Sequence, residues 1–438
     1  VKRSFFSVFA SRKMAALLLL GLSSGLPLFL PSQTLQAWMT QEKVDLGSIG
    51  LFSLVSIPYS LKFLWSPLVD RYVPPVLSKS LGRRRSWLAL TQLLLALAIA
   101  GMFFQQPTQA LQALAVNAVF IAFFSATQDI VADAYRSDVL EEAEMGAGIA
   151  VFVLGYRIAL ILTGSIAFIL ADRLSWPVTY LCMAGLMLLN IGVTLFAPEP
   201  QRDIGAPPTL LDAVWRPFQD FVQRSGWQRS IVILIFIVLY RYGDALLNNM
   251  ATPFLLNADT GLGFNPETGL GFTQTDIGAI KGGMGLLATI VGTLLGGSIL
   301  SQIGIARSLW IFGGLQALSN VSYFILSKLG PNYAFMVLTI NVENFCTGLA
   351  TAGFIAFLMS LCNPKFSATQ YALLSSLMAV SRDILVAPAG KLAEATGWPL
   401  FFLITLIAAL PGLALLPWFA PWQSEPAMPR PGTDHIDP

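Results

Sequence analysis

The sequence predicts an all-α integral membrane protein of about twelve transmembrane helices arranged in two six-helix halves. Three observations lead there. Of 438 residues, 55% are hydrophobic and only 11% are charged, where soluble domains carry about 25% charged residues. Most of the surface must therefore face lipid. Apolar runs long enough to cross a bilayer, about 20 residues each, recur along the whole chain. The longest polar stretch, Pro198–Arg229, divides those runs six and six, the layout of a helical repeat.

The runs lie near 14–39, 47–69, 86–104, 109–136, 146–170 and 176–197, then 230–256, 276–300, 306–326, 333–361, 366–390 and 398–420. The basic segment VKRSFFSVFASRK precedes the first run. That run is too long for a signal peptide, and no small-x-small cleavage site stands out, so it is expected to stay as the first helix. Pro198–Arg229 begins APEP and contains LLDAVWRPFQDFVQR. This piece reads either as an interfacial helix with Trp215, Phe218 and Phe221 toward lipid or as a plain linker. The stretch GLGFNPETGLGF (Gly261–Phe272) follows no soluble strand and reads as an external loop, not a phosphate cradle. The resulting division is 1–197 for the first half, 198–229 for a cytoplasmic linker, 230–420 for the second half and 421–438 for a polar tail. Small-residue spacings such as Gly155–Ala159–Thr163 and Gly292–Gly296 permit close helix approach.

Charge placement sets the expected orientation. Of the 26 Lys and Arg, seventeen fall in the N-terminus, alternate loops and tail, and four fall in the opposite loops. The positive-inside rule then puts both termini in the cytoplasm. A net charge of +2 implies no nucleic-acid partner. Cys182, Cys346 and Cys362 form no CxxC, so no zinc site or disulfide framework follows. The only histidine is His435, in the tail. A proton path through the membrane must therefore run on carboxylates. The same fact makes the G-x-S-x-G match at Gly21–Gly25, centred on Ser23, a chance one, since no span offers a histidine base.

The fourth run ends in SATQDIVADAYRSD (Ser125–Asp138). Helical continuity from Leu111 to Tyr135 spans roughly 37 Å, which puts Asp129 within the hydrocarbon thickness. Asp129 and Asp133 are four residues apart on one helix face, with Arg136 three further on. A carboxylate at that depth must be paired, hydrated or protonated. Two readings stay open, a proton carrier at Asp129 with Asp133 as helper, or a structural ion pair with Arg136. Arg157, at comparable depth, is the expected partner of Asp129.

A second constellation comprises Arg241 and Asp244, three residues apart, with Lys281, Glu343, Asn344, Arg382 and Asp383. Mid-membrane cations suit an anionic cargo, and arginine grips carboxylates bidentately. Lys62, close to the cytoplasmic side, is expected to snorkel. Trp38, Tyr156, Tyr240 and Tyr242 offer aromatic faces for sugar rings, packing being the alternative for each.

After the second run come Asp70-Arg71, a ten-residue insertion, and Gly82-Arg83-Arg84-Arg85. This resembles the signature loop of the major facilitator superfamily and implies the major facilitator fold, with a cytoplasmic latch holding the halves together. Ser66 stands in place of the usual leading glycine. More specific stretches run through nearly the whole chain: GLPL (25–28), TLQAWM (34–39), KFLWSPLVDRYVPP (62–75), GRRRSW (82–87), ATQDIVADA (126–134), LGYR (154–157), APEP (197–200), GDA (243–245), VEN (342–344) and FSATQYALLS (366–375). In these the sequence is similar to the AmpG family of muropeptide permeases. The resemblance implies import of GlcNAc-1,6-anhydro-MurNAc and its peptides across the bacterial inner membrane, driven by protons, for peptidoglycan recycling and, in some hosts, β-lactamase induction. It places Gln128, Asp129, Asp133, Arg157, Asp244, Lys281, Glu343, Asn344 and Arg382 at motif positions. No cofactor beyond the proton gradient and no obligate protein partner is implied. The rival readings are a facilitator for another anionic cargo such as acetyl-CoA, a membrane enzyme on wall precursors, and a receptor without flux.

Overall fold

A computed structural model of the chain describes residues 11–72, 74, 81–140, 144–199, 218–224, 226–256, 269–362 and 367–419. Within them run twelve helical segments. The first six are α1 (Arg12–Gln41), α2 (46–71), α3 (Arg83–Phe104), α4 (Leu111–Val139), α5 (145–173) and α6 (Trp176–Phe196). The other six are α7 (Trp227–Leu256), α8 (274–303), α9 (305–329), α10 (Tyr333–Leu361), α11 (367–396) and α12 (398–419). All twelve predicted runs coincide with helices, and the largest discrepancy is the end of α11, at 396 against the expected 390.

Local chemistry sets the boundaries. Asp45 caps α2, accepting from the Ser48 amide at 2.7 Å. Hydrogen bonds from Ser48 hold the Asp45 carboxyl below the usual carboxylate range. Thr273 and Asp276 form a capping box at the start of α8. Gly304 (φ 80°) and Gly397 (φ 72°) separate α8 from α9 and α11 from α12, because the left-handed backbone stops a helix. Nine described stretches are long and apolar enough to cross a membrane, and Gln274–Leu329 among them is two crossings joined at Gly304. The protein is thus a multi-pass membrane protein, and bulky apolar side chains such as Leu97, Leu189 and Leu294 point outward to lipid.

Four helices carry a π-helical turn: Leu30–Thr34 in α1, Leu162–Ile166 in α5, Gly278–Gly285 in α8 and Ser381–Leu385 in α11. Those in α5, α8 and α11 pack against the opposite half. Such turns widen a helix locally and recur at functional positions. Two glycines bring the halves together backbone on backbone. A Cβ on Gly390 of α11 would run into the Leu46 carbonyl of α2, and one on Gly282 of α8 into the Gly164 carbonyl of α5. Side chains add to this at the same end of the bundle. The Gly47 amide donates to Glu394 (2.9 Å), Thr275 donates to Asp172 (2.6 Å), and Gln274 donates to Gln41. These contacts seal the end that carries the 42–45 and 174–175 loops. Toward the other end the halves diverge around a cavity.

The small-residue spacings act as expected, with Gly155 packed on the α1 backbone and Gly292 on that of α10. The polar stretch before α7 does not behave as expected. Trp215 lies outside the described residues, but 218–224 is helical and docked on the second half. Phe221 is buried among Phe236, Phe357 and Leu374 instead of facing lipid, and Arg224 donates to the Leu361 carbonyl at 3.2 Å. Most of the Gly261–Phe272 loop, His435 and the polar tail also lie outside the described residues.

The glycine contact yields a test. Gly390→Val is expected to force α2 and α11 apart at an overpacking cost of about 1–3 kcal/mol. The closed-to-open ratio should then fall by about 5- to 150-fold. A thiol-reactive reagent applied from the face bearing Lys43 should label a cysteine at Gln36 faster in this background.

Candidate functional site

The cavity between the halves measures 450 Å³ and is lined by Lys62, Ser66, Asp129, Asp133, Tyr156 and Arg382, among others. Asp129 comes from the middle of α4 and reaches the cavity wall beside α1, where Ser24 donates a short hydrogen bond to it. Among the described residues no cation lies within ion-pair distance of it. Asp133, one turn on, is half exposed and pairs with Arg136 at 3.1 Å. Arg136 also lies 4.8 Å above the Phe152 ring. The structural ion pair therefore describes Asp133, while Asp129 stands apart from it.

Several expectations change here. Arg157 does not pair with Asp129: it is half-buried, lines neither cavity described in this section and makes no hydrogen bond or ion pair among the described residues. Gln128 is 1% exposed and donates to Ser23 (3.0 Å), deep between α1, α3 and α4 and away from the cavity. Gln92 donates to the same Ser23 oxygen at 3.0 Å. A helix turns by about 100° per residue, so two neighbours cannot share a face, and Asp129 takes the one that looks inward. Lys62 does not snorkel to lipid but lines the cavity, with no hydrogen bond or ion pair among the described residues.

A second, smaller cavity of 170 Å³ lies toward the sealed end, with Gln33, Gln36, Ser53, Asn248, Asn249 and Asp383 in its wall. Leu28, Tyr59 and Arg382 line both spaces and so form the partition between them. Arg382 is held there by its neighbour Asp383, through Nε at 2.8 Å and Nη2 at 3.1 Å. Asp383 is 1% exposed, and its other contacts cross to α2: Ser60 donates to its carboxylate (2.8 Å) and Ser53 to its carbonyl (3.0 Å).

The other ionisable groups of the second half form a connected network. Arg241 of α7 pairs with Asp244 at 2.7 Å and donates to Thr351 of α10 at 2.7 Å. Asp244 also accepts from Gln316 of α9 (2.7 Å) and Asn248 (3.1 Å). Asn248 donates in turn to Glu343 of α10 at 3.2 Å, and Thr347 and Asn344 donate to Glu343 at 3.0 and 2.9 Å. Lys281 of α8 donates to Thr252 of α7 at 2.8 Å. Arg241 is thus committed to Asp244, and its charge is spent inside the bundle. Of the aromatic candidates, only Tyr156 lines a described cavity. Trp38 packs on Tyr180 (5.5 Å), Tyr240 stacks on Phe354 (5.2 Å), and Tyr242 donates to the Leu385 carbonyl (3.4 Å).

The expected latch is described only in part. The side chains of Asp70 and Arg71 lie outside the described residues. Arg83 opens α3, Arg84 pairs with Asp138 of α4 at 2.7 Å, and Arg85 donates to the Thr194 carbonyl of α6 at 3.0 Å. These partners of Arg84 and Arg85 belong to the first half, so the segment fastens α3 to α4 and α6. The reason is Glu199 of the APEP stretch, which accepts from the Arg84 and Arg85 amides at 2.9 and 3.2 Å and caps the helix start. Burial pushes the Glu199 carboxyl up, and those two amides pull it part of the way back. Gly82 (φ 78°) gives the carboxylate room, since a Cβ there would lie 2.6 Å from it.

Nothing local in the sequence marks Ser24, Tyr59, Ser60 or Glu199, whose partners are distant in the chain. Asn248-Asn249 is a readable signal, two amides within an apolar run. Glu199→Ala should cost about 0.5–2 kcal/mol through the lost cap. Thermal unfolding in detergent should register the loss, and Glu199→Gln, which keeps an acceptor, should retain most of the stability.

The sequence profile of the Major Facilitator Superfamily matches residues 14–384. The anhydromuropeptide permease of Escherichia coli K12 is 47% identical over 94% of this chain and 80% of its own length. A putative transporter AmpG 4 of Rickettsia conorii is 32% identical over 93% of this chain and 97% of its own. A point mutant of the nucleoside transporter NupG superposes with a TM-score of 0.73 at 16% identity, covering 93% of this chain and 99% of that one. A bacterial homologue of the lysosomal transporter Spinster, solved inward-facing and unoccupied, gives 0.70 at 13% identity, covering 93% and 96%. These two agree in fold. The homologues are permeases and transporters, which sets the membrane-enzyme reading aside. By profile and by identity across almost its full length, the chain belongs to the Major Facilitator Superfamily and, within it, to the anhydromuropeptide permease family.

Proposed function

We propose that the chain is a proton-coupled importer of GlcNAc-1,6-anhydro-MurNAc and its peptides, serving peptidoglycan recycling from the bacterial cytoplasmic membrane. Kinship with the Escherichia coli permease supports the cargo class. The observation that carries the coupling is Asp129: a carboxylate facing the open cavity, bonded to a hydroxyl, with no cation within ion-pair distance among the described residues. In ionised form it is costly at this depth, so its protonation state and the access of water to it are linked.

Under the positive-inside rule the sealed end faces the periplasm and the open cavity faces the cytoplasm. In this reading Asp129 takes a proton when the other face opens, moves inward with cargo and releases the proton to the cytoplasm. Proton and cargo act by binding one face better than the other, since a ligand indifferent to the two states shifts nothing. Asp133, with Arg136, is placed to tune Asp129 from one turn away. Arg382 and Lys62 present positive charge to cargo carboxylates. The Arg241–Asp244 and Glu343 network, with Lys281, keeps the wall of the second half charge-balanced and rigid.

One proton moving across about 100 mV supplies about 2.3 kcal/mol, enough for roughly 50-fold accumulation of an electroneutral cargo. In proteoliposomes, Asp129→Asn is expected to abolish gradient-driven uptake of labelled anhydromuropeptide while counterflow exchange persists. Normal accumulation by this variant would remove Asp129 from the coupling. Competition by acyl-CoA in place of anhydromuropeptide would overturn the cargo assignment.

A further inference from the structure

Building on that reading, we infer that the two cavities divide the cargo: the smaller takes an uncharged N-acetylated sugar ring, and the larger takes the carboxylates of the attached peptide. The linings differ in chemistry. Around the 170 Å³ space the polar groups are amides and hydroxyls, and the one charged pair, Arg382 with Asp383, neutralises itself at hydrogen-bonding distance. Phe29, Phe52 and Tyr59 add apolar faces of the kind that sugar rings stack on.

Asn248 is committed to Asp244 and Glu343, but the other three amides there have bonding capacity to spare. The Asn249 Oδ1 is buried without a hydrogen-bond partner among the described residues. The side chains of Gln33 and Gln36 make no hydrogen bond among the described residues. An unsatisfied buried polar atom costs about 1–3 kcal/mol, and here three amide side chains converge on one space. Hydroxyl and acetamido groups of a sugar supply matching donors and acceptors. The space is below the roughly 300 Å³ at which pockets for whole drug-sized ligands begin, so it suits one ring and not the entire cargo.

The 450 Å³ space is the opposite in character. Lys62, Asp129, Asp133 and Arg382 face it, and Lys62 has no ion pair among the described residues. A peptide carboxylate arriving beside Lys62 finds a cation without first breaking a salt bridge. Because Leu28, Tyr59 and Arg382 separate the two spaces, a cargo reaching from one to the other must displace that partition. The π-helical turn under Arg382 and the single hydroxyl tie from Ser60 to the Asp383 carboxylate make this wall the part that gives. The cargo thus lies along the transport axis with its glycan toward the sealed end.

The test compares the peptide-free disaccharide with the same disaccharide carrying its peptide, measuring half-saturation of uptake into proteoliposomes. Lys62→Gln is expected to lower the preference for the peptide-bearing form about tenfold, and Lys62→Arg to restore it. Asn249→Ala and Gln36→Ala are expected to weaken both cargoes in equal proportion, about tenfold each. Weakening of both cargoes equally by Lys62→Gln, or weakening of only the peptide-bearing one by Asn249→Ala, would overturn the division. A folded wild type that takes up neither cargo would remove the proposed function, and this inference with it. Variants that misfold are answered by the wild type alone. Free peptide should compete with the peptide-bearing cargo and leave the peptide-free one unaffected, and the reverse pattern would overturn the division.

Discussion

Asp383 is the point at which the two halves of this molecule are fastened and its cavities are divided. Its carboxylate is almost fully buried, and a buried charge must be matched by a partner and by hydrogen bonds. Arg382 is the partner, from the same helix. Ser60, from the other half, supplies the hydrogen bond. Removing the hydroxyl would leave the ion pair intact and only the Ser53 bond to the Asp383 carbonyl to tie the halves at this position. Removing the carboxylate would leave an arginine loose in the passage. The position that holds the arginine toward solvent is therefore also the one that reports whether the halves are together.

The first half contributes a different kind of carboxylate. Asp129 has a hydroxyl, a cavity-facing surface and no cation within ion-pair distance among the described residues, whereas Asp244 is enclosed by Arg241, Gln316 and Asn248. Both residues are aspartates in apolar runs, and composition cannot separate them. Their surroundings do: one is saturated by side chains that cannot leave, the other is left with room for a proton. The same contrast holds among the cations, between Arg241, spent inside the bundle, and Lys62, open to the cavity.

The helical layout was legible in the sequence because hydrophobic length is a local property, and all twelve runs were found from it. The site was legible only where an ionisable residue interrupts such a run, as at Asp129, Glu343 and Arg382. Partners supplied by ordinary serines and tyrosines were not visible, since Ser24 and Asp129 are 105 positions apart and nothing local marks the pair. The arginines after Gly82 show the converse. Their spacing suggested a bridge between halves, but the carboxylate that organises them, Glu199, folds back from the end of α6. Among the described residues, the Arg84 pair with Asp138 and the Arg85 bond to Thr194 thus brace the first half internally. Gly304 opens α9 in the same left-handed conformation as Gly82 opens α3, each three residues before an arginine-serine step. The halves therefore repeat the geometry of this joint although their sequences have diverged.

The glycine seam between α2 and α11 has a mechanical consequence. Main chain lies against main chain at Gly50 and Gly390, with no interlocking side chain to lift out of a groove. Sliding or tilting there passes over a nearly smooth surface, so friction is low and the motion can be frequent. The restoring force comes from polar ties between the same helices, the Gly47 amide on Glu394 at the rim and Ser53 and Ser60 on Asp383 deeper in. The seam that eases the motion also stabilises the closed form, since a side chain added at Gly390 would hold the two helices apart.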